Sequence, residues 1–299
     1  MPKDWNWTVE LGTGPANSPF QGGMKAPEYP HNAGFLSDTS EAYRSARAGH
    51  YSIWIVSPPG YSHSRCFEEV ALGLQSAFLE LGYRVPVVAD PERSSGKVVV
   101  LGPHLLSHVE ESNWPAEMIL FNLEQVSEGS SWMNEDYRGR LRRHIVWDYS
   151  ARNIQALHDM GISSVTLCPI GYAPSLTRVE PADQQDIDVL FIGSIKQRRR
   201  EILNSLQAAG IDVRWGFDIY GRDRDNFFAR AKIILNMHLY EAKVFEIVRV
   251  SYLLANRMCV VSETGADPLL ENQFRDGVAF AAADELAETC QRLLSNPDA

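Results

Sequence analysis

The strongest constraint on the fold is the alternation of short apolar runs with amphipathic segments. The run at 51–57 (YSIWIVS) is followed by apolar residues at helical spacing over 66–83 (CFEEVALGLQSAFLELGY) and by a second apolar run at 84–90 (RVPVVAD). Parallel strands need a crossover connection, which is usually a helix, so a strand, a helix and a strand in this order form the unit of a parallel sheet. The alternation therefore predicts an α/β fold.

The same alternation continues along the chain in two sets. Further strands of the first set are predicted at 97–102, 117–125, 144–150 and 164–172, and the second set has strands at 187–194, 211–217, 232–237, 258–263 and 277–282. Between the sets, residues 173–186 carry two prolines and no periodicity. We predict an irregular N-terminal arm at 1–50, a Rossmann-like domain at 51–172, a linker at 173–186 and a second Rossmann-like domain at 187–299.

Length, charge and cysteine usage narrow the class of protein. A chain of 299 residues favours two domains over one. Its net charge of −10 argues against broad binding of nucleic acid or anionic membrane. The four cysteines show no C-x-x-C spacing, and three of them lie in apolar strand or helix contexts, which predicts buried free thiols in a reducing compartment. No 18-residue apolar run and no signal peptide are present, so we expect no transmembrane segment and a cytoplasmic location.

A cluster of cations follows the first strand of the second set. In open parallel sheets, ligands bind beyond the carboxyl ends of the strands. The segment at 191–200 (FIGSIKQRRR) places there the residues Gly193, Ser194, Lys196, Arg198, Arg199 and Arg200. Cations at a helix N-terminus oppose the helix dipole, whereas an anion bound there would be stabilised by the dipole and by arginine side chains. We predict a phosphate site, with a solvated basic face as the alternative.

A second polar cluster follows the strand predicted at 232–237. It contains His238, Tyr240, Glu241, Lys243 and Glu246, and the segment 241–256 is predicted to be helical. On that helix Glu246 and Arg249 would lie on one face and could pair. A carboxylate accepts hydrogen bonds from two sugar hydroxyls, and a neutral histidine can donate or accept. We predict contacts to a ligand here, with a structural Glu–Arg pair as the alternative.

The first half offers fewer candidates at its predicted strand ends. Pro59, Gly60 and Tyr61 form the first such loop, for which an ordinary proline turn is the alternative. His104, Glu124 and Asp148 follow later strands, and any of them could act as a general base. Asp148 could instead cap the next helix. The arginines at 138, 140, 142 and 143 are predicted to form a solvated helix face.

At these positions the second half resembles the nucleotide-sugar-binding domain of GT-B-fold glycosyltransferases of the "glycosyl transferases group 1" type. That family carries a Glu-x7-Glu motif, and this chain has His238-x7-Glu246 in its place. The segment VLFIGS (189–194) resembles the family's turn beside the diphosphate. SYLLANRMCVVSE (251–263) resembles the helix and strand behind the motif, and CPIGYAPS (168–175) resembles the strand that leads into the interdomain linker.

The resemblance implies two Rossmann-like domains that face a cleft, and a glycosyltransferase that moves a sugar from a nucleoside-diphosphate sugar. The acceptor is left open as a glycan, small molecule, protein or nucleic acid, and no cofactor or metal is expected. Glu246 would hold the donor ribose, with Glu124 and His238 as catalytic residues. Further donor-binding residues would be Gly193, Ser194, Lys196, Arg198, Arg199, Tyr240, Glu241, Lys243 and Arg249, and the acceptor side would contain Pro59, Gly60, Tyr61, His104 and Asp148.

Two alternatives share this fold: a nucleotide-sugar-binding protein without catalysis (a pseudoenzyme) and a nucleotide-sugar epimerase. A Rossmann dehydrogenase is disfavoured because neither half opens with a G-x-G-x-x-G motif, and a P-loop is also absent.

Overall fold

Two parallel sheets form the framework of the computed structural model, which describes residues 41–127, 129–130 and 132–296. The first sheet has the strand order β2-β1-β3-β4-β5-β6, with β1 Tyr51–Ile55, β2 Val87–Val88, β3 Lys97–Leu101, β4 Met118–Asn122, β5 Ile145–Asp148 and β6 Val165–Leu167. The second has the order β11-β10-β9-β7-β8, with β7 Ile187–Ile192, β8 Val213–Gly216, β9 Ala231–Asn236, β10 Val260–Glu263 and β11 Val278–Ala281. The predicted pair of parallel α/β domains is confirmed. The part that carries the first sheet is called lobe 1, and the part that carries the second is called lobe 2.

Helices connect most of these strands. In the described part of the chain they are α1 Glu41–Ser45, α2 Glu68–Glu80, α3 Glu135–Arg143, α4 Ala151–Asp159, α5 Gln197–Ala208, α6 Gly221–Arg230, α7 Ile247–Ala255, α8 Pro268–Asn272 and α9 Leu286–Ser295. Several caps are explicit. Asn134 accepts a hydrogen bond from the backbone of Tyr137, and Ser150 accepts one from Asn153. The α4 helix ends before Gly161, which has φ of 76°.

Both faces of each sheet are covered, which explains why the strands are continuous apolar runs. In β1, Ile53 and Ile55 belong to one core cluster while Trp54 packs in another on the opposite face. The cluster around Ile53 continues into lobe 2, where it includes Ile187 and Val250. The two lobes therefore share apolar packing as well as the connecting chain.

The connection between the lobes is better anchored than its polar composition suggested. Leu176 and Val179 are buried in the shared core. Asn256 accepts hydrogen bonds from the backbone of Arg178 and Val179 and donates one to the carbonyl of Leu176. The boundaries proposed from the sequence, 51–172 and 187–299 about a linker at 173–186, stay a prediction.

Three elements differ from expectation. The strand predicted at 84–90 is reduced to β2. The helix predicted over 241–256 begins only at Ile247, because 241–246 forms a loop in which Lys243 has φ of 44°. Of the arm predicted at 1–50, residues 1–40 lie outside the described residues, and the remainder contains α1 and a bridge between Arg47 and Tyr83.

The cysteines are free thiols, but the predicted burial of three of them is wrong: Cys290 is buried, Cys168 is half-buried, and Cys66 and Cys259 are exposed. No helix among the described residues combines the length and apolar character needed to cross a membrane.

Candidate functional site

The lobes meet at the carboxyl ends of their strands, where parallel sheets place ligands. Ser62, in the loop after β1, donates a 2.5 Å hydrogen bond to Asp218 in the loop after β8. Trp132 Nε1 donates to the hydroxyl of Tyr240, which follows β9, over 3.1 Å. We call this junction the interlobe cleft, and the candidate site is built from the loops that line it.

Arg199 lies in the first turn of α5, and its side chain points inward. Its guanidinium donates to the backbone carbonyls of Ser194 at 2.8 Å, His238 at 3.3 Å and Met237. It also lies 5.1 Å from the ring centroid of Phe191. Burial, together with the nearby guanidinium of Arg249, lowers the pKa of Arg199 to about 9. Burial and Arg249 thus destabilise the positive charge of Arg199, and the carboxylates of Glu246 and Glu263 compensate for only part of this effect.

Arg249 provides a second cation on the same aromatic ring. Its guanidinium carbon lies 5.8 Å from the centroid of Phe191, and its buried Nη1 finds no hydrogen-bond partner among the described residues. A Cβ added to Gly193 would lie 3.2 Å from Arg249 Nη2 and 3.0 Å from the Phe191 ring, so glycine allows this close approach. Neither Arg199 nor Arg249 forms an ion pair with any carboxylate in the described part of the chain. The arrangement suits an anion beside Gly193 and Ser194.

The remaining cations of the predicted phosphate cluster do not join these two. Arg198 donates to both carboxylate oxygens of buried Glu263, and Lys243 Nζ lies 3.3 Å from the same carboxylate. Lys196 is exposed at the N-terminus of α5 and makes no capping bond through its side chain. Arg200 is half-buried. Cations that are neighbours in the sequence therefore have different environments. Arg199 is buried, Arg198 is neutralised by Glu263, and Lys196 and Arg200 are exposed and half-buried, respectively.

Glu246 immediately precedes α7, and its carboxylate is surrounded by donors. It accepts from His238 Nδ1 at 3.1 Å, Asn236 Nδ2 at 3.0 Å and Gln125 Nε2 at 3.3 Å. Burial raises the pKa of Glu246, but the bond from His238 and the nearby positive charges outweigh that effect and hold the pKa below its usual value. The site favours a carboxylate that stays ionised.

His238 is placed behind Glu246 and does not open to the cleft. A carboxylate only accepts hydrogen bonds, so Nδ1 of His238 carries the proton, and Nε2 is buried without a hydrogen-bond partner among the described residues. The side chain is 1% exposed. His238, expected from the sequence to be a catalytic residue, is thus not placed against a ligand: its geometry is that of a residue that positions Glu246.

The rest of the predicted polar cluster is divided by the loop at 241–246. The expected ion pair between Glu246 and Arg249 is not formed, because His238 takes the carboxylate instead. Tyr240 reaches across to Trp132, Glu241 is exposed to solvent, and Lys243 belongs to the Glu263 group.

In lobe 1, Glu124 follows β4, and its side chain is largely buried, with 18% of its surface exposed. Its carboxylate has no hydrogen-bond donor among the described residues, and His104 Nε2 lies 3.8 Å from Glu124 Oε1. Burial raises the pKa of Glu124 to about 7. The rings of His104 and Trp132 pack at a tilt of 58° with their centroids 4.7 Å apart, and burial lowers the pKa of His104 to about 3, so His104 stays neutral. A carboxyl group that titrates near neutrality is suited to general base catalysis.

Asp148 and two residues of the first loop are not placed as acceptor contacts. Asp148 is fully buried and accepts from Asn122 Nδ2 at 2.6 Å and from the backbone of Ser150 at 2.9 Å. Burial raises the pKa of Asp148 to about 7. The residue that caps the N-terminus of α4 is Ser150 and not Asp148. Pro59 and Gly60 are exposed at a turn in which Gly60 has φ of 77°. Tyr61 is half-buried and lies near Glu124.

The helix face predicted as solvated also needs correction. Arg140 of α3 is buried against the protein and pairs with Asp136, whereas Arg142 and Arg143 are exposed as expected. The fourth arginine of this face, Arg138, is half-buried.

Sequence reasoning missed Asn236, Gln125 and Trp132. Asn236 is the last residue of β9, and Gln125 follows Glu124, so both satisfied the strand-end rule that selected their neighbours. Among the described residues, no group of three or more His, Cys, Asp or Glu side chains is arranged to hold a metal ion.

Comparison with known proteins finds distant sequence relatives and solved structures with a similar fold. No protein-family model matches the chain. Three relatives come from Acanthamoeba polyphaga mimivirus: uncharacterized protein L140, 28% identical over 60% of this chain and 59% of its own length; L137, 27% identical over 61% and 25%; and R358, 26% identical over 66% of each chain. The match thus spans less than two thirds of L140 and L137.

Solved structures resemble the chain more extensively. HepE from Anabaena, in complex with UDP and glucose, superposes with a TM-score of 0.54 at 13% identity, covering 83% of this chain and 90% of HepE. AviGT4, a glycosyltransferase involved in avilamycin A biosynthesis, gives a TM-score of 0.53 at 14% identity, covering 83% of this chain and 88% of AviGT4. The resemblance seen in the sequence is confirmed at the level of the fold: the chain has the architecture of the GT-B glycosyltransferases.

Proposed function

We propose that the protein is a glycosyltransferase that transfers a sugar from a nucleoside-diphosphate sugar to a hydroxyl acceptor. The observation that carries this proposal is the pair of guanidiniums beside Phe191 and Gly193, buried Arg199 and half-buried Arg249, neither of which forms an ion pair with a carboxylate of the described residues. Ligand-free, this arrangement is destabilising, and a diphosphate would remove the cost. The HepE complexes with UDP and UDP-glucose support a donor of this class.

Each donor group has residues suited to it. The diphosphate would lie between the backbone of Gly193 and Ser194 and the guanidiniums of Arg199 and Arg249, which form hydrogen bonds of matching geometry with phosphate oxygens. One ribose hydroxyl would donate to Oε2 of Glu246, whose ionised form is maintained by His238 and Asn236. The sugar would then extend from the diphosphate toward Glu124.

The chemistry follows from these placements. Glu124 accepts the proton of the acceptor hydroxyl, the hydroxyl oxygen forms a bond to the anomeric carbon, and the bond from that carbon to the diphosphate oxygen breaks. The negative charge that develops on the leaving diphosphate is stabilised by Arg199 and Arg249. Attack from the side opposite the leaving group inverts the anomeric centre. Because two arginines provide the positive charge, we propose that this step needs no divalent metal.

Turnover of a radiolabelled UDP- or GDP-sugar tests the proposal and separates it from its alternatives. We expect slow release of free sugar to water and faster transfer to a hydroxyl acceptor, with loss of both in Glu124→Gln. Nucleotide binding without turnover would favour a non-catalytic binding protein, and interconversion of the sugar would identify an epimerase. Gln155→Glu makes the reverse exchange of amide and carboxylate at an exposed position of α4, and as a control it should leave both reactions unchanged.

A further inference from the structure

Gln125 makes a two-sided contact across the interlobe cleft. Its Oε1 accepts from the backbone N–H of Val244 at 3.1 Å, and its Nε2 donates to the carbonyl of the same residue at 2.9 Å. The same Nε2 reaches Glu246 Oε1 at 3.3 Å. One side chain of lobe 1 thus satisfies both backbone groups of a lobe 2 loop residue and contacts the residue proposed to hold the ribose. Gln125 is 6% exposed, so water competes little for these bonds.

The segment that carries Gln125 is fixed to lobe 1. Asn122 Nδ2 and Asn153 Nδ2 donate to the carbonyl of Glu124 at 2.9 and 3.1 Å. Asn153 Oδ1 accepts from the backbone of Val126 at 3.0 Å. Because the backbone is held on both sides of Gln125, the Gln125 side chain fixes the position of the Val244 loop relative to the segment that carries Glu124.

We propose that Gln125 is a positioning residue that holds lobe 2 closed over Glu124 and keeps Glu124 and Glu246 in a fixed relation. It acts through these two residues and does not contact the reacting atoms. The inference rests on the proposed function for the roles of Glu124 and Glu246, but its structural part concerns the ligand-free protein and can be measured without substrate.

Closure by Gln125 has a measurable consequence at Glu124. The carboxyl group is shielded by both lobes, and opening of lobe 2 would admit water to it. The titratable and charged groups that face Glu124 are Tyr61, Cys66, His104, Tyr137, Tyr149 and Tyr240. Of these only Tyr240 belongs to lobe 2, and it carries no charge near neutral pH. Loss of closure would therefore change the hydration of Glu124 with little change in the charges around it.

The test compares Gln125→Met with Gln155→Met, an identical substitution at an exposed position of α4. Methionine fills a similar volume but makes none of the three hydrogen bonds. The carboxyl carbon of Glu124 is followed by NMR in the ligand-free protein as a function of pH, and transfer kinetics are measured with the labelled nucleotide sugar. Gln125→Asn, which keeps the amide but is too short to reach Val244, provides a second variant in case the first does not fold.

In Gln125→Met and Gln125→Asn we expect the Glu124 pKa to fall toward the ordinary glutamate range and kcat to fall at least about tenfold, since small misplacements of reacting groups are costly. Gln155→Met should leave both unchanged. An unaltered Glu124 titration in a folded Gln125 variant would overturn the inference. Absence of turnover in the unmodified protein would instead count against the proposed function, and the NMR result would still decide the role of Gln125.

Discussion

The carboxylate of Glu246 accepts a 3.1 Å hydrogen bond from Nδ1 of His238 and a 3.0 Å bond from Nδ2 of Asn236, so both strand-end residues of β9 orient one acidic group. His238 itself is shielded from solvent. Gln125 Nε2 also donates to Oε1, so of the lone pairs of the Glu246 carboxylate one, on Oε2, is left for a ligand.

Glu246→Gln should weaken nucleotide binding by roughly ten- to a hundredfold, because hydrogen bonds to a charged group contribute about 1.5–3 kcal/mol. An amide also places a donor beside His238 or Asn236, where an acceptor is needed. Isothermal titration with nucleoside diphosphates gives the affinities. The matched control is Glu241→Gln in the same loop, whose exposed side chain should contribute nothing. Equal affinities for the two variants would remove Glu246 from the site.

Activity should depend on the ionisation of Glu124. Its pKa is raised to about 7, and only the ionised form accepts a proton, so kcat/KM should rise with pH through about 7 and then level off. Because His104 is neutral, kcat/KM of His104→Gln should show the same rise with pH. A profile that is flat between pH 5 and 9 would show that Glu124 is not the base.

Ionisation of Glu124, which should raise the activity, should lower the stability of the protein. A carboxyl whose folded pKa exceeds its unfolded value of 4.5 binds more protons in the folded state, so its contribution to folding becomes less favourable as pH rises from 4.5 to about 7. Glu124→Gln should therefore stabilise the protein at pH 8 by at most roughly 3 kcal/mol. Denaturant unfolding at pH 8 measures this. A destabilised Glu124→Gln would indicate that the carboxylate is compensated in the folded state.

Gly265 should tolerate no side chain. A Cβ there would lie 2.2 Å from the carbonyl oxygen of Lys243 and 2.7 Å from Nε2 of His238, so Gly265→Ala would displace the loop that carries Glu246. We expect a loss of stability of about 1–3 kcal/mol, as for other overpacked sites, and weaker nucleotide binding. Gly139→Ala, in open space on α3, should instead stabilise by up to about 1 kcal/mol through helix propensity. Thermal unfolding of both variants compares these effects.

Chelation should leave activity intact, because Arg199 and Arg249 supply the positive charge that the leaving diphosphate requires. The measurement is the initial rate of sugar transfer before and after treatment with EDTA. Complete loss of rate with recovery on addition of Mn²⁺ would show that the leaving group is stabilised by a metal.

The sequence predicted the sheets well because strands buried on both faces are continuous apolar runs, as in YSIWIVS and IDVLFIGS. It also located the strand ends where Gly193, Arg199, His238 and Glu246 lie. Periodicity failed at 241–246, where apolar residues at helical spacing form a loop held by tertiary contacts between Val244, Gln125 and the strand end.

The direction of each charged side chain was beyond sequence analysis. Adjacent arginines 198 and 199 have opposite environments: one neutralises Glu263, and the other is buried against Phe191 and backbone carbonyls. The burial of Asp148 depends on partners distant in the chain from its own position, such as Asn122. Such differences depend on three-dimensional neighbours that a one-dimensional pattern does not specify.

Arg249 gives the most direct test of the central claim, that the cleft binds a diphosphate through Arg199 and Arg249, which form no ion pair with a carboxylate of the described residues. Arg249→Met should stabilise the ligand-free protein by about 1 kcal/mol, because a buried unsatisfied donor is removed. The decisive measurement is the affinity of a nucleoside diphosphate relative to its nucleoside, by titration calorimetry, in the unmodified protein, in Arg249→Met and in the exposed control Arg222→Met. We predict that the diphosphate adds at least about tenfold affinity in the unmodified protein and the control, and that Arg249→Met loses most of this gain. An equal gain in all three proteins would contradict the account.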